Sequence, residues 1–461
     1  MSTNTKVNPK EVHSILDKHI LTDGLDMVLD LEKSEGVYLY DSRGEKRYLD
    51  FFTFFASNPL GMNHPRLSND EFIRKIGKAA VNKPSNSDVY TEAMAEFVDN
   101  FDRIGIPDYM PYAFFISGGA LAVENALKVA FDWKVQKNFE KGYRQEKGHK
   151  VLHLEKAFHG RSGYTLSLTN TLPNKTKYFP KFDWPRIVNP VMKFPATDEH
   201  VRQAVDLEGK AIAQAERYFE MYKDEIACII LEPIQGEGGD NHFRLEFHQA
   251  LRDLADKHEA LLIYDEVQTG VGLTGKFWAH EHYVKPDILA FGKKAQVCGI
   301  LSNDRVDDIE TNCFHVSSRI NSTWGGNLVD MVRFGRILEV IEEEKLVENA
   351  AEVGSYLQDK LSELAEEFEH FSNPRGKGLF CAIDLPNGHA RDAVKKQCIE
   401  NQLMILACGE RTIRFRPPLN VKKEHVDEAI SIMQKSYKEA AGKCPALTSN
   451  SYTLPNGNSG S

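Results

Sequence analysis

The residues able to do chemistry in this 461-residue sequence gather where short apolar runs end. Ser117-Gly118-Gly119-Ala120 follows the run AFFI (113–116) and precedes a helical stretch. Small residues and unpaired backbone N–H groups at a helix N-terminus suit an anion such as phosphate. A Gly-Gly turn is more often only a tight connection, so this segment decides nothing alone. Asp265 follows ALLIY (260–264). It reads either as a surface or capping acid, or as a buried carboxylate that keeps a pyridinium nitrogen protonated and makes the ring an electron sink. DILAF (287–291) runs into Gly292-Lys293-Lys294, where a lysine amine can form a Schiff base once burial or a nearby cation lowers its pKa. Neighbouring strand residues face opposite ways, so at most one of the two lysines reaches a shared site.

Apolar runs alternating with helix-period stretches from about 113 to 291 predict an α/β fold with a mostly parallel central sheet. The strands expected there are AFFI, KVLHL (150–154), IACIIL (226–231), ALLIY and DILAF, all buried because they barely alternate. Residues 122–134 and 245–258 read as amphipathic helices. Past 326 a long helical stretch, the strands GLFCAIDL (378–385) and TIRF (412–415), and a closing helix over 425–437 make a smaller α+β unit. A hairpin from VYLYD and KRYLDFF should pack on that unit. The expected division is an N-terminal segment over 1–60, a large domain over 61–340, a small domain over 341–443, and a disordered tail over 444–461.

Three strand-end features in this order fit one cofactor site, and two motifs carry a resemblance. D-E-V-Q-T-G (265–270) and P-D-I-L-A-F-G-K (286–293) resemble the signature of the class III (ω-amino acid) aminotransferases, pyridoxal-phosphate enzymes of the type I fold. Longer segments, including GGALAVENALK (118–128), AFHGRSGYTLSLTNT (157–171), EPIQGEGGD (232–240) and NSTWGGN (321–327), resemble the bacterial lysine 6-aminotransferase (lysine ε-aminotransferase) group. The resemblance implies that Lys293, not Lys294, carries the cofactor, that Gly119 and Ala120 hold its phosphate, and that Phe158 and Val267 cover its two faces. Asp265 is implied for the ring nitrogen, Gln268 for the 3-hydroxyl oxygen, and His159 for support. Thr323 would reach the phosphate in a partner subunit, which implies a homodimer, and Asn321 in the same turn joins the substrate contacts. Arg161 and Arg414 would bind substrate carboxylates, with Glu237 pairing Arg414 when an ω-amine is bound and swinging aside for 2-oxoglutarate. Arg416 is expected to be structural. Ala120 and Leu121 stand where many class members have Thr-Glu, which leaves more of the phosphate to backbone N–H groups.

The implied reaction moves the ε-amino group of L-lysine to 2-oxoglutarate. The alternatives are another ω-aminotransferase acting on 4-aminobutyrate or ornithine, since GKFWAHEH (275–282) also resembles 4-aminobutyrate aminotransferases, or a pyridoxal-phosphate-binding protein without transamination. A nucleotide-binding protein lacks support because no G-x-G-x-x-G or P-loop run exists. A net charge of -10 argues against a nucleic-acid partner. Seven scattered cysteines without a C-x-x-C pair predict free thiols, and no metal site is expected. His280-Glu281-His282 is too closely spaced for two helix-face ligands and is expected at the surface. The opening residues show no signal-peptide pattern and no run spans a bilayer, so a cytoplasmic location without membrane partners is expected.

Overall fold

The computed structural model describes residues 7–447. A hairpin of β1 (Tyr38–Asp41) and β2 (Lys46–Asp50) comes first, with Tyr38 opposite Leu49. The central sheet takes β3 (Tyr112–Ile116), β4 (Lys150–Leu154), β5 (Arg186–Ile187), β6 (Ile226–Leu231), β7 (Leu261–Asp265), β8 (Ile288–Phe291) and β9 (Cys298–Ser302). Its spatial order is β3-β9-β8-β7-β6-β4-β5, and only β9 runs antiparallel to its neighbours. Five more strands follow: β10 (Ser372–Lys377), β11 (Phe380–Asp384), β12 (Leu403–Met404), β13 (Leu406–Cys408) and β14 (Thr412–Phe415). They form a sheet ordered β10-β11-β14-β13, while β12 pairs in parallel with β2, so the N-terminal hairpin does join the C-terminal unit.

Every residue of β6, β7, β8 and β9 is buried, and packing on both faces is the reason the sequence shows no alternation there. Cys228 and Ile230 of β6 pack with Ala126, Leu127 and Trp133, whereas Ile229 and Leu231 pack with Leu251 and Leu254 on the other face. The helix behind the Gly-Gly turn runs Gly119–Glu140, longer than expected, and its buried residues extend around the helix instead of along one stripe. One of them, Lys134, donates to the carbonyls of His258 (3.3 Å) and Glu259 (2.7 Å) just past helix Leu245–Lys257, where a cation meets the negative helix end.

Other expectations need correction. The AFFI run lies on an edge strand, with Ala113 exposed and only Phe115 and Ile116 buried. Strands β5, β9, β10, β12 and β13 were not foreseen; β10 reads SNPRGK, and polar residues with a proline carry no strand period. His280 is buried, not on the surface, and bonds Glu266 (3.0 Å) and the hydroxyl of Tyr109 (2.8 Å). The expected tail begins too early, because Pro445–Leu447 form a 3-10 turn with Leu447 buried; residues 448–461 lie outside the described residues. All seven cysteines are free. No helix among the described residues is long and apolar enough to cross a membrane, and no group of metal-ligating side chains occurs among them.

The smaller sheet is fastened to the Gly-rich turn that follows β6. Arg416, just past β14, donates through Nη2 to both carboxylate oxygens of Asp240 (2.6 and 2.7 Å), and both side chains are 0% exposed. Arg375 of β10 donates to the carbonyls of Gly239 (2.6 Å) and Asp240 (2.8 Å) and also pairs with Asp384 (2.9 Å). Removing one partner of a buried ion pair leaves the other without compensation. Asp240→Ala should therefore lower the unfolding free energy by about 3–5 kcal/mol in urea titration; a loss below about 1 kcal/mol would show that the pair does not hold the units together.

Candidate active site

At the C-terminal ends of the sheet strands, Gly119, Ala120, Phe158, His159, Arg161, Asp265, Val267, Gln268 and Lys293 line one cavity of about 320 Å³. Such strand ends are where open α/β sheets bind ligands. Gly118 (φ 110°) turns the chain from β3 into helix Gly119–Glu140, whose N-terminus has no side-chain cap. Its first N–H groups are thus available to an anion. Asp265, at the end of β7, accepts from the ring of His159 at 2.8 Å through Oδ2 and from the Val267 N–H at 3.0 Å through Oδ1. Glu266 faces the other way and accepts from His280 N (2.8 Å), in keeping with the two-residue period of a strand.

The adjacent lysines also point apart, although not by strand alternation as expected: β8 ends at Phe291, and Lys293–Ala295 form a 3-10 turn in which Lys293 has φ 50°. Lys294 Nζ donates to the carbonyls of Gln268 (2.7 Å) and Ala56 (3.3 Å), whereas Lys293 lines the cavity. Burial, with the charge of Arg414 adding to it, pushes the Lys293 ammonium down to about 8 against the opposing pull of Asp265. Gln268 is fixed from behind: its Oε1 accepts from Arg416 Nε (3.2 Å) and Nη2 (3.1 Å). A Cβ at position 236 would stand 2.6 Å from that amide, so a larger residue there would have to displace Gln268.

Beside this cavity lies a second, of about 380 Å³, lined by Glu237, Gly238, Thr171, Arg391 and Cys408 among others. Glu237 Oε2 accepts from Arg414 Nη2 at 2.9 Å, and its Oε1 from Lys175. Burial pushes the Glu237 carboxyl up, but Arg414 and Lys175 outweigh it and hold the group below its ordinary value. Arg414 is buried, and its Nε and Nη1 have no hydrogen-bond partner. Each flat edge of a guanidinium that can grip a carboxylate with two parallel bonds includes Nη2. Nη2 carries one hydrogen on each of those edges, so Glu237 takes one of the five guanidinium donors and offsets the buried charge without closing both edges.

A single chain does not bring every implied residue together. Asn321 and Thr323 sit in an exposed turn away from the cavity; Asn321 Oδ1 accepts from Ser322 N (2.7 Å) and the Thr323 carbonyl from Ser87 (3.2 Å). Arg161 lines the cavity but is exposed. Sequence reasoning passed over Glu232, Ile234 and Thr269, which also line it. Glu232 accepts from the N–H groups of Phe158 (3.0 Å) and Gly236 (2.9 Å), and burial pushes its carboxyl up to about 7. The strand-end rule that singled out Asp265 applies equally to Glu232, which directly follows β6. Lys175 had no such signal, because it lies in an irregular stretch between polar residues.

Comparison with known proteins decides the family. The model of the family described as "Aminotransferase class-III" matches residues 21–436. The chain belongs to the class III aminotransferases. The L-lysine-epsilon aminotransferase of Mycobacterium tuberculosis is 54% identical over 431 residues, covering 93% of this chain and 95% of that protein. A probable mitochondrial 4-aminobutyrate aminotransferase of Caenorhabditis elegans is 33% identical, covering 93% and 92%. A solved structure of the M. tuberculosis lysine aminotransferase superposes with a TM-score of 0.92 at 53% identity, covering 94% of this chain and all of that one. The fold is thus the type I pyridoxal-phosphate transferase fold, and the cofactor is pyridoxal phosphate. The cavity fits that group: uncapped helix N–H groups for the phosphate, a buried carboxylate held by His159 for the ring nitrogen, and Lys293.

A lowered lysine pKa predicts a measurable pH dependence. In cofactor-free protein, competitive acylation of Lys293 should rise through a midpoint near pH 8, as the neutral amine forms, and Arg414→Met should move that midpoint upward. A midpoint at or above about pH 10, the ordinary lysine value, would refute this account of the amine.

Proposed function

We propose that the protein transfers the ε-amino group of L-lysine to 2-oxoglutarate, giving 2-aminoadipate 6-semialdehyde, which cyclises to a piperideine carboxylate, and L-glutamate. The observation that carries this reading is the Glu237–Arg414 pair, which meets the need of a site that must take a bare CH₂–NH₃⁺ end in one half-reaction and a carboxylate-bearing carbon in the other. Lysine is favoured over 4-aminobutyrate because the lysine-epsilon aminotransferase is 54% identical and the 4-aminobutyrate relative 33%.

Bound pyridoxal phosphate supplies an aldehyde that condenses with the amino group and a ring that spreads the electron pair left when a proton departs. Lys293 holds the cofactor at rest and then, as a neutral amine, takes the proton from the substrate Cε. Asp265, oriented by His159, keeps a proton on the ring nitrogen. Gln268, braced by Arg416, would meet the 3-hydroxyl oxygen, and Phe158 and Val267, which line the cavity, would cover the ring. Arg161 takes the far carboxylate, and Arg414 the α-carboxylate of glutamate or 2-oxoglutarate once Glu237 has moved. With lysine bound, Glu237 neutralises Arg414, whose uncompensated burial would otherwise oppose binding.

The active enzyme in this reading is a homodimer in which Thr323 and Asn321 complete the partner's site, and it works in the cytoplasm. Exposed apolar side chains near that turn support the dimer: Val81 (80%), Val89 (60%), Tyr90 (79%) and Trp324 (46%). The Trp324 carbonyl accepts from Asn86 N (3.3 Å), which links the two segments into one patch of the kind that subunits cover.

Glutamate formation from 2-oxoglutarate should be much faster with lysine than with ornithine or 4-aminobutyrate at equal concentration; equal or greater rates with either would overturn the choice of donor. In single-turnover measurements, Glu237→Gln should slow the lysine half-reaction more than the glutamate half-reaction, by about tenfold or more. Equal losses would remove the switch.

A further inference from the structure

Glu237 does not pair with Arg414 alone. Its other oxygen is held by Lys175, on the one-turn segment Pro173–Lys175, and each of the two side chains is 23% exposed. Lys175 Nζ also stands 5.4 Å from the centre of the Phe158 ring. One cation thus touches both the residue that covers the cofactor and the acid that masks the carboxylate-binding arginine.

We infer that Lys175 is a positioning residue for 2-oxoglutarate and glutamate: it retains Glu237 when a substrate α-carboxylate takes Arg414, and so favours partners that bring an α-carboxylate to that arginine. This rests on the switch reading of Glu237 and deepens it. The geometry supplies the first reason. Because Oε1 is on Lys175 and Oε2 on Arg414, rotation about the Lys175 contact frees Nη2 of Arg414 without leaving a half-buried carboxylate unpaired. Charge balance supplies the second. Arg414, Lys175 and Glu237 together carry one positive charge, and an incoming α-carboxylate brings the group to neutrality. Without Lys175, the same carboxylate would leave a surplus negative charge. Lysine offers only methylene to Arg414, so its half-reaction leaves the charge of this cluster unchanged.

Lys175→Met keeps the apolar stem and removes the charge. It should raise the 2-oxoglutarate and glutamate concentrations needed for half-maximal single-turnover rates by about fivefold, a change of the size expected for one partly exposed ion pair. The lysine half-reaction should stay within about twofold, Lys175→Arg should restore the wild-type pattern, and in a Glu237→Gln background the Met change should add no more than about twofold, because the two residues act as a unit. Equal losses in both half-reactions, an altered absorption spectrum of bound cofactor, or full additivity with Glu237→Gln would overturn the proposal and assign Lys175 to support of Phe158. A lysine-selective loss in Glu237→Gln beside an unselective Lys175→Met would refute Lys175 alone. Absence of any selectivity in Glu237→Gln would refute the switch and Lys175 with it.

Discussion

The buried ion pair of Asp240 with Arg416 is the constraint on which the site depends. Two fully buried opposite charges are tolerated only when geometry and further hydrogen bonds compensate their lost hydration. Here the guanidinium meets both oxygens of Asp240, donates to the Phe415 carbonyl at 2.8 Å and lies over the Phe380 ring at 3.4 Å. Asp240 ends the Gly-rich turn after β6, and Arg416 follows β14, so the pair fixes the register of the smaller sheet against the larger one. The same arginine holds Gln268. Placement of the cofactor's neighbours and closure between the two units are one arrangement.

That register decides where Arg414 stands. Two residues before Arg416, and buried, it comes within reach of Glu237 only because the Gly-rich turn is clamped by Arg416 and Arg375. A loose turn would let Glu237 find water, and Arg414 would lose its mask. In the proposed reaction, selection between an amine and a carboxylate would rest on this clamped frame and on the one side chain of Glu237.

Burial does a second kind of work around the cofactor. It lowers the ammonium of Lys293 and raises the carboxyl of Glu232, while Glu237 is held down by two cations only a few ångströms away. The site separates the protonation behaviour of neighbouring groups by where each sits relative to low-dielectric core and paired charge. Lys294 illustrates the contrast: although more deeply buried, it spends its donors on two carbonyls and takes no part.

The sequence by itself determined the α/β class, the strands that lead to Asp265 and Lys293, and the family. Those features are local or motif-borne: apolar runs buried on both faces leave a readable pattern, and a strand end places its next residue in the ligand crevice. The N-terminal hairpin was legible because its two strands pair locally. Tertiary structure alone decided the rest. The edge position of β3, the strands β10, β12 and β13, and the burial of His280 follow from partners far along the chain and leave no period in the sequence. Strand alternation does not separate Lys294 from Lys293, because both lie in the 3-10 turn after β8; only the contacts of Lys294 with the carbonyls of Ala56 and Gln268 show what it does. Lys175 is the clearest case. Nothing near it in sequence marks it, and it matters only because the fold brings it to a glutamate 62 positions away.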